Sequence, residues 1–349
     1  MLYRLTAPLP SALFSGPLLR RLLGGLLCGV LGGLLGALLY TTQTVAYAQA
    51  DYPNKPVRLI VGFAAGGISD VLARALSVKL SQELGQQVLV ENKQGAGTTI
   101  ASEFIAKAPP DGYTLFLQDI TTHAINATLY QKLPYDSVKD FTPVGLVAST
   151  PLILVVNASN PSRNLAELVA QIKAAPGKYS YASSGIGAIT HLAGELMKTR
   201  GGIDAVHVPY KGSSPATQAI LGNEVTYTFS TMPPAIANVK AGKLRAIAVT
   251  TPKRSTATPE VPTMMEAGMR DFDIVLYSGI LAPPGMAPAL VRRINAAFAK
   301  VTGDNDIKTV YASIGAEPMV ATPEFFADML GKEIGKLAPV VRASGAKAE

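Results

Sequence analysis

The sequence predicts an α/β fold in two lobes with a cleft between them, and three observations carry that expectation. Apolar strand runs alternate with helical patterns along most of the chain. Two of the strand-to-helix turns, at 59–74 (LIVGFAAGGISDVLAR) and 181–191 (YASSGIGAITH), share one design: a strand, a Gly/Ser turn, then a helix. At 349 residues the chain also exceeds the size at which a single core keeps growing.

The elements follow in order. Residues 57–61 form a continuous apolar strand, and Leu72, Leu76, Leu80 and Leu84 recur every four residues on the next helix, which Gly85 stops. A strand at 88–91, a helix at 100–108, a turn at Pro109-Pro110-Asp111-Gly112 and a strand at 114–117 come next. Strands separated by helices of this length imply a parallel-type sheet with both faces covered. The apolar stretch 144–156 contains Pro151, a residue expected at an edge or a bend, and the first crossing between lobes is placed there. A second series follows: helix 165–174 capped by Asn164, strand 179–182, helix 189–199, strand 205–208, helix 215–221, and strands 225–229 and 244–249. Strand 274–282 reads as the return to the first lobe, ahead of helices 288–301 and 323–341. The domain expectation is therefore 51–150 with 274–349 for one lobe and 151–273 for the other. Clefts between domains are favoured places for small ligands.

The first fifty residues stand apart. Arg4, Arg20 and Arg21 form a positive flank with no acid, 22–39 is apolar and broken by glycine, and Ala46-Tyr47-Ala48 and Ala48-Gln49-Ala50 offer A-x-A cleavage patterns. This reads as an export signal over 1–50, cleaved near Ala48 or Ala50, with a retained anchor as the competing reading. Cleavage removes Cys28, the single cysteine, and with it any disulfide, thiol nucleophile or thiolate metal ligand. It also leaves 28 bases against 24 acids, so the net charge falls from +7 to +4. The bases are dispersed and there is no tryptophan, which excludes a nucleic-acid footprint. The three histidines, His123, His191 and His207, show no metal-ligand spacing, and neither a metal nor a cofactor is expected.

Gly66-Gly67 lets the backbone approach a ligand closely, and Ser69 and Asp70 are candidate helix caps. A strand-to-helix turn presents free N–H groups at the positive end of a helix dipole, a natural seat for a small anion. The turn Ser183-Ser184-Gly185-Ile186-Gly187 repeats this in the second lobe, and two such turns facing each other supply donors without formal charge, which suits carboxylate oxygens. Gly95-Ala96-Gly97-Thr98-Thr99 lacks the full dinucleotide fingerprint, and no phosphate loop is present. In Pro209-Tyr210-Lys211-Gly212, Tyr210 is a candidate cleft residue and Lys211 a candidate attractor of anions. Ser184 with His191 is the pair that a hydrolase would use, but no G-x-S-x-G surrounds Ser184.

The segments YPNKPVRLIVGFAAGGISDVLAR, LYQKLPYDSVKDFTPVGLV, YASSGIGAITHLAGELM, VHVPYKGSSPA, LRAIAVTTPKR, VPTMMEAG and SGILAPPG resemble, in order, the Bug family, the extracytoplasmic solute receptors of tripartite tricarboxylate transporters. The resemblance spans essentially the whole chain after residue 50. It implies a type II periplasmic-binding-protein fold whose lobes close on a small organic acid. Carried over by position, it implies a first-lobe loop of Phe63, Ala65, Gly66, Gly67, Ser69 and Asp70. Its counterpart is Ser183, Ser184, Gly185, Gly187 and His191, with Tyr210, Lys211 and Gly212 beside it. Thr121, Thr122, Ser230, Thr231 and Met232 fall on loops expected to face the rest of the ligand. Ala65 and Tyr277 depart from the family's usual proline and tryptophan. The function expected is a monomeric periplasmic receptor that captures a carboxylate, is not an enzyme, and hands its ligand to membrane subunits of the transporter. A periplasmic sensor docking on a signalling partner is the alternative, and a Ser/His hydrolase the minor one.

Overall fold

Strand β1 (Val57–Val61) is buried except at Arg58, as expected of a parallel strand covered on both faces. It pairs in parallel with β2 (Val88–Asn92) on one side and β3 (Thr114–Asp119) on the other. Arg58 reaches along the surface to clasp both oxygens of Glu91 on β2, at 2.6 and 2.7 Å. Helix α1 (Ile68–Leu84) buries Leu72, Leu76 and Leu80, each contributing about 1.5–3 kcal/mol of apolar burial, and ends at Gly85 in the left-handed region (φ 68°). Helix α2 (Thr99–Ala106) covers the sheet before β3. The computed structural model describes residues 52–344 and residue 346, so the expected export signal lies outside the described residues. From Lys55 onward the described residues form one compact unit.

The sheet order is β2-β1-β3-β9-β4-β7-β5-β6, where β4 is Thr142–Asn157, β5 Ser180–Ser183, β6 Val206–Pro209, β7 Tyr227–Thr231 and β9 Val275–Ala282. Strands β8 (Leu244–Val249) and β10 (Glu317–Pro318) also pair with β4. The two ends of the sheet are parallel, but β9 and β4 run antiparallel to their neighbours, so the sheet is mixed rather than parallel throughout. The cause is that β4 and β9 carry the chain between the two halves of the sheet instead of closing a β-α-β unit.

Pro151 does not break β4. It stands opposite Val275 as the last pair with β9, and from Leu152 onward β4 pairs with β7 and β8. The proline therefore marks a change of partner within one long strand. Beside it, Thr250 Oγ1 donates to Ile274 O and accepts from Leu152 N, fastening the two crossings together. Each half has its own apolar cluster: Ile60, Phe116, Phe141, Leu281 and Phe326 in the first, Ile153, Ile220, Met232, Ile236 and Val249 in the second.

The remaining helices are α3 (Ile120–Leu129), α4 (Leu165–Lys173), α5 (Ile189–Gly201), α6 (Ser213–Leu221), α7 (Met232–Lys240), α8 (Pro288–Thr302), α9 (Asn305–Ser313) and α10 (Pro323–Ser344). Asn164 caps α4 as expected, accepting from Glu167 N at 2.9 Å while Glu167 accepts from Arg163 N. Helices α3, α7 and α9 were not foreseen. Residues 120–126 of α3 are all buried, which erases the one-sided periodicity that betrays a surface helix. Consequently Thr121 and Thr122 lie in a helix rather than a loop, and Ser230 to Met232 are the end of β7 and the first residue of α7. Among the described residues no helix is long and apolar enough to cross a membrane.

Candidate functional site

The first corner joins β1 to α1. Its N-cap is Gly67 with no side-chain cap, so neither Ser69 nor Asp70 caps the helix in the way expected. Asp70 instead reaches back from the first turn to accept from Gly66 N at 2.9 Å, and its other partners are Asn92 Nδ2 (3.0 Å) and the Arg74 guanidinium. Asn92 also donates to Phe63 O at 2.9 Å, which ties the corner to the end of β2. Burial alone would push the Asp70 carboxyl up, but the bonds from Arg74, Gly66 and Asn92 outweigh it and hold the group below its usual range. Ser69 Oγ is buried and has no hydrogen-bond partner among the described residues. Ala65 and Gly66 are exposed.

The second corner joins β5 to α5 and contains no charge. Thr190 Oγ1 accepts from Ser184 N (2.8 Å) and bonds Ser184 Oγ (2.7 Å). His191 Nδ1 accepts from Gly187 N at 3.3 Å, and Ser183 Oγ meets His207 Nε2 at 2.6 Å. Ser184 and His191 are thus both committed to holding the turn and form no nucleophile–base pair. Burial pushes His191 down to about 4, and burial together with His191 pushes His207 down to about 3, so both rings are neutral.

The corners face each other. Ala64 N at the first corner donates to Lys211 O at 3.2 Å, and Ile189 N at the second donates to Thr122 Oγ1 at 3.1 Å, so each corner is bonded to the opposite half. Gly97 lies so close to the Ile186 carbonyl that a Cβ there would collide with backbone, so glycine is required by the approach of the two halves. Between them is a small enclosed space bordered by Gly67, Ile68, Ser69, Asp119, Ser184, Ile189, Ser213 and Thr231, about 10 Å³ in volume, enough for one water-sized group. It adjoins a rim pocket of about 280 Å³ whose walls include Phe63, Thr98, Tyr130, Ile186, Tyr210 and Lys211.

The donors around the enclosed space come from helix starts. Helices α1 and α6 begin there with no side-chain cap, whereas the first N–H of α5, at Ile189, is taken by Thr122, α7 opens with Pro233 and Pro234, which have no N–H, and α3 is capped by Asp119, which accepts from Thr122 N and Oγ1. Burial pushes the Asp119 carboxyl up to about 6 despite those bonds. Thr231 Oγ1, like Ser69 Oγ, is buried without a partner among the described residues. Two unsatisfied hydroxyls and the uncapped α1 and α6 starts give this space donors for an oxygen, and the Asp119 carboxyl also borders it.

Other expected residues lie nearby in supporting positions. Thr121 Oγ1 donates to Val275 O and accepts from Tyr277 N, joining α3 to β9. Ser230 Oγ donates to Thr231 O, and Met232 is in the core of the second half. Tyr210 OH donates to Glu224 at 3.3 Å, and Gly212 packs on Ala64. Lys211 is exposed and has no ion-pair partner among the described residues. Sequence reasoning missed Asp119, Thr190, Ser213, Tyr130 and the bond made by His207. Of these only Ser213, in a third strand–Gly–Ser–helix turn, carried a local signal.

A family model described as the tripartite tricarboxylate transporter family receptor matches residues 72–345. The chain belongs to that receptor family. The receptor is 37% identical to the protein BugT of Bordetella pertussis over 309 residues, 88% of this chain and 95% of that one. Among solved structures, it is similar to the periplasmic binding protein BugD, at 32% identity over 85% of this chain and 100% of that one, with a TM-score of 0.82. It is equally similar to an R. palustris protein solved with adipate, at 33% identity over 85% of this chain and 99% of that one, TM-score 0.82. The receptor therefore has the α/β fold of these periplasmic binding proteins, and its role is solute binding, not catalysis.

Proposed function

We propose that this receptor is exported, captures a small organic carboxylate between the two halves of its sheet, and delivers it as a monomer to the membrane subunits of a tripartite transporter. The observation that carries the reading is the convergence of the α1 and α6 starts with the unpartnered Ser69 and Thr231 hydroxyls on one enclosed space. One carboxylate oxygen seats there on neutral donors, and charge-assisted bonds of this kind are about twice as strong as neutral ones. The remainder of the molecule extends past Phe63 into the rim pocket. That a relative of similar fold was solved with adipate supports the same ligand class here.

The enclosed space is too small for a whole organic acid, so ligand entry requires the walls to part. We assign the moving lobes to 51–150 with 274–349 and to 151–273, hinged where Pro151 and Ile274 cross. Ligand closes them only to the extent that it binds the closed state better. Residues 1–50 supply the export signal.

A thermal-shift panel of organic acids on the chain lacking residues 1–50 tests this. At 100 times its dissociation constant a true ligand adds about 2.7 kcal/mol of stability. A panel in which no mono-, di- or tricarboxylate raises the melting temperature contradicts the proposal.

A further inference from the structure

Beneath the second corner lies a ladder of four stacked rings that its binding role does not itself require. Tyr181 on β5 is the register partner of both Tyr227 on β7 and His207 on β6, so the three side chains share one face of the sheet. Their rings stack at 5.4 and 4.9 Å, and His191 from α5 closes the ladder on His207 at 4.0 Å with the planes 7° apart. The Tyr181 hydroxyl is anchored by Glu195, which also pairs with Lys198 at 3.0 Å. The only polar outlets of the ladder toward the ligand site are its two imidazoles, and both end on the turn.

His191 takes the Gly187 N–H. His207 reaches Ser183, whose hydroxyl accepts from Gly185 N at 3.1 Å and donates to Gly185 O at 3.2 Å. The Ser183 hydroxyl and His207 Nε2 share one bond at 2.6 Å, its donor set by the imidazole tautomer. Gly187 sits at φ +80°, a conformation that glycine adopts readily and other residues do not.

Resting on the receptor reading above, we infer that His207 is a positioning residue for ligand binding. It touches no ligand, but through Ser183 it fixes Gly185, and through its stack on His191 it fixes Gly187, so that Ser184 and the α5 start face Ser69 across the closed space. The rigid aromatic ladder of the core thereby sets the geometry of an uncharged binding turn.

The test uses His207→Phe, which keeps the stacking ring and removes the ring nitrogen that bonds Ser183, and His207→Gln, whose amide offers both a donor and an acceptor at similar reach. Two quantities are read for each: amide hydrogen exchange at Gly185 and Gly187, and the dissociation constant for adipate as probe. His207→Phe is expected to speed exchange at those two amides about tenfold while amides of the core strands β5 and β7 keep their protection, and to weaken adipate about tenfold. His207→Gln is expected to recover most of both. The inference is overturned if turn exchange is unchanged in His207→Phe, if exchange rises equally throughout the second half, or if His207→Gln is no better than His207→Phe. Should the unaltered receptor bind no adipate, the fault lies with the ligand reading, and the exchange data still decide the role of His207.

Discussion

The two corners that face each other across the site do the same work with opposite chemistry. The first is clamped by charge: Asp70 gathers Gly66, Asn92 and Arg74. The second is clamped by neutral groups, with Thr190, Ser183 and two uncharged imidazoles holding Ser184, Gly185 and Gly187. Both leave their helix starts without a side-chain cap. In both, the clamp itself takes turn N–H groups, that of Gly66 on one side and those of Ser184, Gly185 and Gly187 on the other, and so holds the neighbouring donors still. The two clamps should therefore fail at different pH and under different substitutions.

The largest expected effect is acid sensitivity of the neutral clamp. His191, His207 and also His123, which burial pushes down to about 4, stay neutral in the folded protein, whereas in the unfolded chain they take up protons near pH 6.5. The unfolded state then binds more protons, so stability falls as pH drops from 6.5 toward 4. Between pH 6.5 and 5 each imidazole removes about 1.6 kcal/mol. Asp119 acts in the opposite sense. Raised to about 6, it takes up its proton in the folded state first and returns about 1.2 kcal/mol over the same interval. Glu333, which burial also holds above its usual range, acts in the same sense as Asp119, so the net loss stays below about 3.5 kcal/mol, and His207→Phe should reduce it by about 1.6, read from urea unfolding at the two pH values. Equal losses in the two proteins would break the comparison.

The charged clamp comes next. Asp70→Ala strands the Gly66 N–H, the Asn92 amide and Arg74, at an expected cost of about 2–3 kcal/mol at pH 7. Because the folded Asp70 lies below its ordinary value, its contribution is present above about pH 4 and is lost as pH falls further. Denaturant titrations of the two proteins should diverge at neutral pH and converge in strong acid.

Smaller and more local effects belong to the seat itself. Ser69→Ala and Thr231→Val each remove a buried hydroxyl without a protein partner, so stability should hold or rise slightly while carboxylate affinity falls about tenfold by calorimetry. Lys211→Gln, at the exposed rim, should weaken binding by only about two- to fivefold, and that difference should vanish at high salt.

Much of this was legible in the sequence because glycine and serine punctuate strand-to-helix turns so sharply. Gly66-Gly67 and Ser183 to Gly187 mark both corners, and the spacing of Leu72, Leu76 and Leu80 gives the helix behind the first. What stayed hidden depends on distance or on total burial. Helix α3 shows no period because every face of residues 120–126 is covered. Thr122 meets Ile189 across 67 positions, and Asp70 finds Asn92 across 22, contacts that no local pattern encodes. Proline weakens a strand interior, so Pro151 predicts an edge or a bend, yet it falls inside one strand at the pair where β4 exchanges partners and a missing N–H costs least.

The claim on which the rest depends is that neutral N–H and hydroxyl groups select a carboxylate. Calorimetric titration of the chain lacking residues 1–50 with the best acid of the panel, and with the matching primary amide, tests it most directly. The account predicts binding of the acid and at least hundredfold weaker binding of the amide, while equal affinity for the two would contradict it.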